Sequence, residues 1–219
     1  MTRSKIIVDF LDGSNNLEDM LLRLKTILYD LDSKEIDNWI NNELNGYKEE
    51  EDLPDYRYVN GALQGMILVG NYKYSNTQLP THHLSDEIKN KLLNPPIYAS
   101  IGKIHKLLEK GEILKRQLPL ESCVLFSQGL ARGKVASANL ILGEGEFQEI
   151  ISNIKNLVID VLLELEGEFG NLDSLDIIRE ADLSEEEKAK LEKKIINFIF
   201  YDGSTIDIGN NNKINNNKF

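Results

Sequence analysis

The 219 residues predict an α+β fold in which helices predominate and pack on a small β-sheet. Three observations carry that expectation. Phe147, Ile150, Ile151, Ile154, Leu157, Val158, Val161, Leu162 and Leu165 recur at helical spacing and form a wide apolar stripe. Leu17, Met20, Leu21, Leu24, Leu28 and Leu31 repeat the same period near the start of the chain. Between these helices, from Tyr56 to Tyr74, the helical period vanishes and apolar residues occupy both parities of an extended chain.

Taken in order, residues 4–11 are a short apolar segment that suits a helix or a strand. The first long helix follows, with Asn15 or Asn16 placed to cap it, and Asp32-Ser33 breaks the chain. Ile36, Trp39, Ile40 and Leu44 share one face of the next helix, and Asn45-Gly46 supplies its left-handed end. The short connection makes these two helices an antiparallel pair. In the stretch that follows, Ala62, Met66 and Leu68 fall on one side of a strand and Leu63, Ile67 and Val69 on the other. This reads as a strand buried on both faces, with Gly61, Gly65 and Gly70 marking a bulge or a close backbone approach.

"SDEIKNKLL" and "YASIGKIHKLLEKG" read as short helices, ended by Asn94-Pro95-Pro96 and by Gly111. "EILKRQLP" is a strand candidate, and residues 122–142 are ambiguous. The sheet is therefore drawn from about 56–74 and 112–118, with 135–142 as a further candidate. A last helix runs from about Ser184 to Phe200, where Ser184 and Glu187 have capping-box spacing. One domain is expected over residues 1–200 and an Asn-rich tail over 201–219. In the tail Ile206, Ile208 and Ile214 suit a small β element that associates with copies of itself, the Asn side chains laddering, or else a frayed terminus.

Composition narrows the function classes. A net charge of −11 repels phosphate backbones and anionic membranes, which disfavours nucleic acid and membrane docking. The single Cys123 excludes an internal disulfide and a cysteine-based zinc site, and suits a reducing, cytoplasmic compartment. No apolar run approaches the roughly 20 residues that span a bilayer. Adjacent His82 and His83, with His105 elsewhere, do not make a metal-binding pattern, so no metal is assigned. Gly143-Glu144-Gly145 is a helix lead-in whose acids would repel a phosphate; no cofactor motif is read. Ser4, Ser14, Ser122 and Ser127 lack the context of a catalytic nucleophile.

One stretch concentrates polar and aromatic residues. Trp39, Glu43, Leu44, Gly46 and Tyr47 end a helix, and Pro54, Asp55, Tyr56 and Arg57 form a turn shortly after. This "W-x-x-x-E-L-x-G-Y … P-x-Y-R" pattern resembles the AbiTii domain family, named for bacterial abortive-infection proteins. The resemblance covers about residues 4–168. It implies a role in defence against phage, often beside other domains, and no settled catalytic chemistry. The expectation it supports is a non-enzymatic sensing or assembly module that meets a co-encoded defence effector or a phage protein; the tail, not the resemblance, adds the expectation of a homo-oligomer. The alternative is a toxin-type enzyme, a nuclease or nucleotide hydrolase. It would use Glu43 and Asp55 as paired carboxylates and Arg57 to bind an anion. The structural reading of the same corner is simpler. Pro54 fixes the turn, Tyr56 packs, and Arg57 bridges to Glu43 or Asp55 and to free carbonyls at the helix end.

Overall fold

The computed structural model describes residues 3–111 and 113–201. Ile206, Ile208 and Ile214, on which the tail expectation rests, lie outside the described residues. The ambiguous start resolves as helix α1 (Lys5–Leu11), which buries Ile6, Ile7 and Phe10. Helix α2 (Leu17–Leu28) is capped by Asn16, whose side chain accepts from the Asp19 N–H at 2.8 Å. Helix α3 (Lys34–Asn45) starts at Ser33 and buries Ile36, Trp39, Ile40 and Glu43. Burial on these three helices follows the 3.6-residue period, so their packing is the direct outcome of the apolar stripes.

The region from 56 to 74 is not one strand, which corrects the sequence reading. A single 3-10 turn occupies Asp55–Arg57. Strand β1 (Ala62–Val69) is followed at once by β2 (Tyr72–Gln78), and the two pair antiparallel. Between them Gly70 has φ 57° and Asn71 does not have a positive φ. This gives the positive φ at the first position alone that a two-residue II′ hairpin turn requires. Nor is β1 buried on both faces. Leu63, Gly65 and Ile67 face the core, whereas Gln64, Met66 and Leu68 are half-buried on an outer face. The irregular register expected near the glycines is present, just after Gly65 against β2 and at Met66/Ile67 against the other neighbour.

Helices α4 (Asp86–Leu93) and α5 (Ile101–Lys110) precede β3 (Leu114–Gln117). The ambiguous segment splits into α6 (Leu120–Ser127) and β4 (Lys134–Leu142). The sheet is four-stranded and antiparallel throughout, in the order β2-β1-β4-β3. Its inner face, with Leu63, Ile67, Val135, Ala138, Leu140 and Leu142, joins one continuous core with the helices.

Helix α7 (Glu144–Phe169) is the central strut. It packs against α2, α5, the turn at Asp55–Arg57 and the final helix α9 (Glu185–Phe200). A short helix, α8 (Ile177–Glu180), intervenes and was not read from the sequence. The capping box on α9 is formed as the spacing predicts, with Ser184 and Glu187 bonding reciprocally. The N-terminal end is clasped to the strut. The Ser4 N–H and Oγ donate to Glu166 Oε1 at 2.7 and 2.6 Å, Arg3 pairs with the same carboxylate, and Ser4 Oγ accepts from the Leu172 N–H at 2.9 Å. Among the described residues no helix is long and apolar enough to cross a membrane.

Candidate functional site

The motif residues fold into a buried corner backed by an open groove. The corner begins at the end of α3. Trp39 and Glu43 stand one helical turn apart on its buried face. Gly46 then ends the helix with φ 97°, and a Cβ there would lie 2.9 Å from the Tyr98 carbonyl oxygen. A side chain would therefore meet both backbone strain and a clash. The close approach lets the Tyr47 N–H donate to the same carbonyl at 2.9 Å. Pro54 starts the 3-10 turn, and its carbonyl accepts from the Arg57 N–H at 2.9 Å. That turn delivers Tyr56 and Arg57 to Glu43.

Glu43 and Arg57 are both fully buried. The guanidinium embraces the carboxylate with two N–H groups, Nε to Oε1 at 3.3 Å and Nη2 to Oε2. Tyr47 and Tyr56 each donate a phenolic O–H to Oε1 at 2.7 Å. The Trp39 Nε1–H donates to Tyr56 Oη at 2.8 Å, and the Arg57 carbon lies 5.0 Å from the Tyr47 ring centre. Arg57 Nη1 donates to the backbone carbonyls of Ala99 and Ile97, at 2.7 and 3.4 Å. Its carbonyl partners are thus on the segment before α5, not at the end of α3, and its carboxylate is Glu43, not Asp55. Burial, then the neighbouring Glu43 charge, push both the Tyr47 and the Tyr56 phenols up. Burial alone would lower the Arg57 guanidinium, but the Glu43 carboxylate outweighs it and raises it. The two phenols are therefore held neutral beside the Glu43–Arg57 ion pair. Each group is bonded to another of the set, and Arg57 also to the backbone before α5. The Glu43–Arg57 pair is out of contact with solvent, so the arrangement offers no group for proton transfer to a substrate.

Asp55 does not join this set. Its side chain is exposed and lies on the wall of a groove of about 530 Å³ on the far side of Tyr56. The paired-carboxylate arrangement of Glu43 with Asp55 is therefore not what the fold builds. Neighbouring positions in a turn point in different directions, and here one enters the core while the other meets solvent.

The groove runs between the 55–60 segment, α7 and the end of α9. Asp55, Glu146, Glu149 and Asp160 line it with Asn60, Asn153 and Asn156, over a floor that includes Leu157 and Phe198. No Lys or Arg lines it, and none of its four carboxylates has an ion-pair partner among the described residues. The α7 contributors recur at positions 146, 149, 153, 156 and 160. That polar stripe, opposite the apolar one, was the signal in the sequence that would have found this wall.

The remaining candidates are dispersed. Cys123 is buried, and Ser127 Oγ donates to its carbonyl at 2.6 Å while accepting from the Val135 N–H at 2.8 Å. His83 contacts the Leu125 carbonyl at 2.9 Å, and His105 contacts Glu18 at 3.2 Å. Among the described residues no group of three or more His, Cys, Asp or Glu side chains is placed to hold a metal ion.

No curated protein and no solved structure matches the chain. The family model described as AbiTii matches residues 3–191. The match runs beyond the expected limit at 168, through α8 and into α9, and takes in both the buried corner and most of the groove. The chain belongs to the AbiTii family of abortive-infection, anti-phage defence proteins.

Proposed function

We propose that the chain acts in phage defence as a non-enzymatic sensing or assembly module. The observation that supports this is the closed state of the motif corner. Its charged and phenolic groups are buried, mutually bonded and tied to the backbone before α5. Such a corner is suited to fixing the relative positions of α3, the 55–60 segment and α5. It is unsuited to turning over a substrate. By fixing the 55–60 segment it also sets one wall of the groove, so the motif serves a surface rather than a reaction.

The competing reading is the toxin-type enzyme. Its support is the groove, which is open and rich in carboxylates. Any such chemistry would use Asp55 with Glu146, Glu149 or Asp160 in place of Glu43 and Arg57. A plaque assay beside a turnover assay separates the two. Asp55→Asn is expected to melt like the parent and to retain protection at least in part, since Glu146, Glu149 and Asp160 remain in the groove, and the purified chain is expected to leave RNA, DNA and nucleoside triphosphates intact. Hydrolysis of any of these, abolished by Asp55→Asn at unchanged stability, would reverse the conclusion in favour of the enzyme.

A further inference from the structure

The outer face of the sheet is charged opposite to the rest of the chain. None of the four strands carries an Asp or Glu, yet their outer-facing positions carry Lys73, Lys115 and Lys134 within a chain of net charge −11; Arg116, opposite Leu140, belongs by register to the other face. Register places Lys73, Leu68 and Lys134 in one row across β2, β1 and β4. A second row crosses all four strands and is made of carboxamides only: Gln78, Gln64, Asn139 and Gln117. Every outer-facing residue of these rows is exposed or half-buried, and the lysines have no ion-pair partner among the described residues. Arg132 lies in the turn just before Lys134 and is exposed, which adds charge at that end of the sheet.

We propose that this cationic sheet face docks against the anionic groove of a second copy of the chain, in a head-to-tail contact. Four arguments select that occupant. The first is charge: among the described residues the groove is lined by Asp55, Glu146, Glu149 and Asp160 and by no Lys or Arg, and the strands of the sheet present Lys73, Lys134 and Lys115 and carry no Asp or Glu. The second is the match in uncharged character. Carboxamides lie on both surfaces, and Met66 and Leu68 on the sheet face the same requirement for cover as Leu157 and Phe198 in the groove.

The third concerns symmetry. Two sheet faces meeting about a two-fold axis would set lysines against lysines, which like-charge repulsion opposes. A heterologous contact avoids this and repeats, so it builds a chain or a ring of copies. The fourth concerns nucleic acid. The row residues of the outer face include no aromatic side chain for base stacking, and the overall negative charge repels a phosphate backbone. The inference rests on the assembly reading above and names the partner for it.

The test is sedimentation and light scattering on the full chain at about 100 μM, in low and high salt. Self-association is expected in about 50 mM salt and its loss in about 500 mM. Lys73→Gln with Lys134→Gln removes one surface, and Glu149→Gln with Asp160→Asn removes the other. Each double variant, with an unchanged melt, is expected to associate at least tenfold more weakly. Mixed one to one, they are expected to form a dimer that grows no further, because each supplies the surface that the other lacks.

A parent that stays monomeric in low salt overturns the proposal, as does association indifferent to salt and to both double variants. So does a mixture that fails to dimerise. Association lost in Ile206→Asn with Ile208→Asn while the lysine pair has no effect would move the contact to the tail. Binding of a labelled oligothymidylate, lost in the lysine double variant, would make the face a nucleic-acid surface instead. These outcomes are read by scattering and binding, whereas failure of the non-enzymatic reading is read as turnover, so the two failures are distinguishable.

Discussion

Tyr56 separates two groups of carboxylates that differ in almost every physical respect. On one side Glu43 is buried, paired with Arg57 and bonded by two phenols. On the other side Asp55, Glu146, Glu149 and Asp160 line a groove with no cation and no ion pair among the described residues. Three consecutive residues, Asp55, Tyr56 and Arg57, belong respectively to the open group, the partition and the closed group. The contrast shows why a compact polar motif is a poor indicator of a site. A buried charge must be paired or it costs several kcal/mol, so the most elaborate polar network in a fold is often the one that is sealed. A solvated carboxylate needs no partner and remains free to meet one from outside.

The largest break in this contrast comes from removing one member of the sealed pair. Glu43→Ala strands the Arg57 guanidinium in the core and is expected to lower stability by about 3–5 kcal/mol in urea melts. The double change Glu43→Leu with Arg57→Met is expected to cost less than that single one. A double variant worse than Glu43→Ala would mean that the corner holds the fold by more than charge pairing.

Trp39→Ala should fall in a similar range, about 3–5 kcal/mol, because it leaves a cavity and also removes the N–H that the Tyr56 oxygen accepts. Trp39→Phe keeps most of the volume, and its loss of about 1 kcal/mol would isolate the hydrogen bond. Gly46→Ala probes the geometry instead of the charge. Its positive φ and the Tyr98 carbonyl predict a cost of about 1–3 kcal/mol by thermal melting.

Glu166 sharpens the contrast from between the two extremes. Hydrogen bonds from Ser4 chiefly, with help from Arg3, hold its carboxyl below the ordinary 4.5. A carboxylate lowered on folding contributes stability that is present above the unfolded value and lost as pH falls through the folded one. Glu166→Gln is therefore expected to flatten the acid limb of the stability profile below about pH 4.5 and to leave its neutral limb parallel to the parent's. The smallest effect belongs to Asp55→Asn, within about 0.5 kcal/mol of the parent. A loss comparable with that of Glu43→Ala would erase the distinction between the two sides of Tyr56.

What could be read in advance divides along the same line. The stripes of α2, α3 and α7, the capping box of α9 and the Gly46 stop were legible because each depends on residues within a few positions of one another. The hairpin was missed because Gly70-Asn71 interrupts a run whose apolar residues continue on both sides of the glycines. Only pairing with β4 decides which parity is buried. The pairing of Arg57 with Glu43 was one of two options that spacing allowed, and its bonds to the Ile97 and Ala99 carbonyls were beyond reach, since backbone acceptors leave no mark on side-chain chemistry. The groove was illegible for a further reason. Asp55 and Asp160 are brought together by the packing of α7 against the 55–57 turn, which no local pattern encodes.

The clasp on Ser4 has a consequence for how the chain comes into being. Helix α1 has seven residues, too few to persist in water by itself. Its anchor points, Glu166 and the Leu172 N–H, lie 162 and 168 positions further along. On a ribosome adding roughly 5–20 residues per second, the first helix emerges and then waits on the order of ten to thirty seconds for its seat to be made. During that interval Ile6, Ile7 and Phe10 are without cover. Helix α1 is thus among the last elements to be secured, and in the nascent chain it stays open to capture or cleavage until α7 is complete.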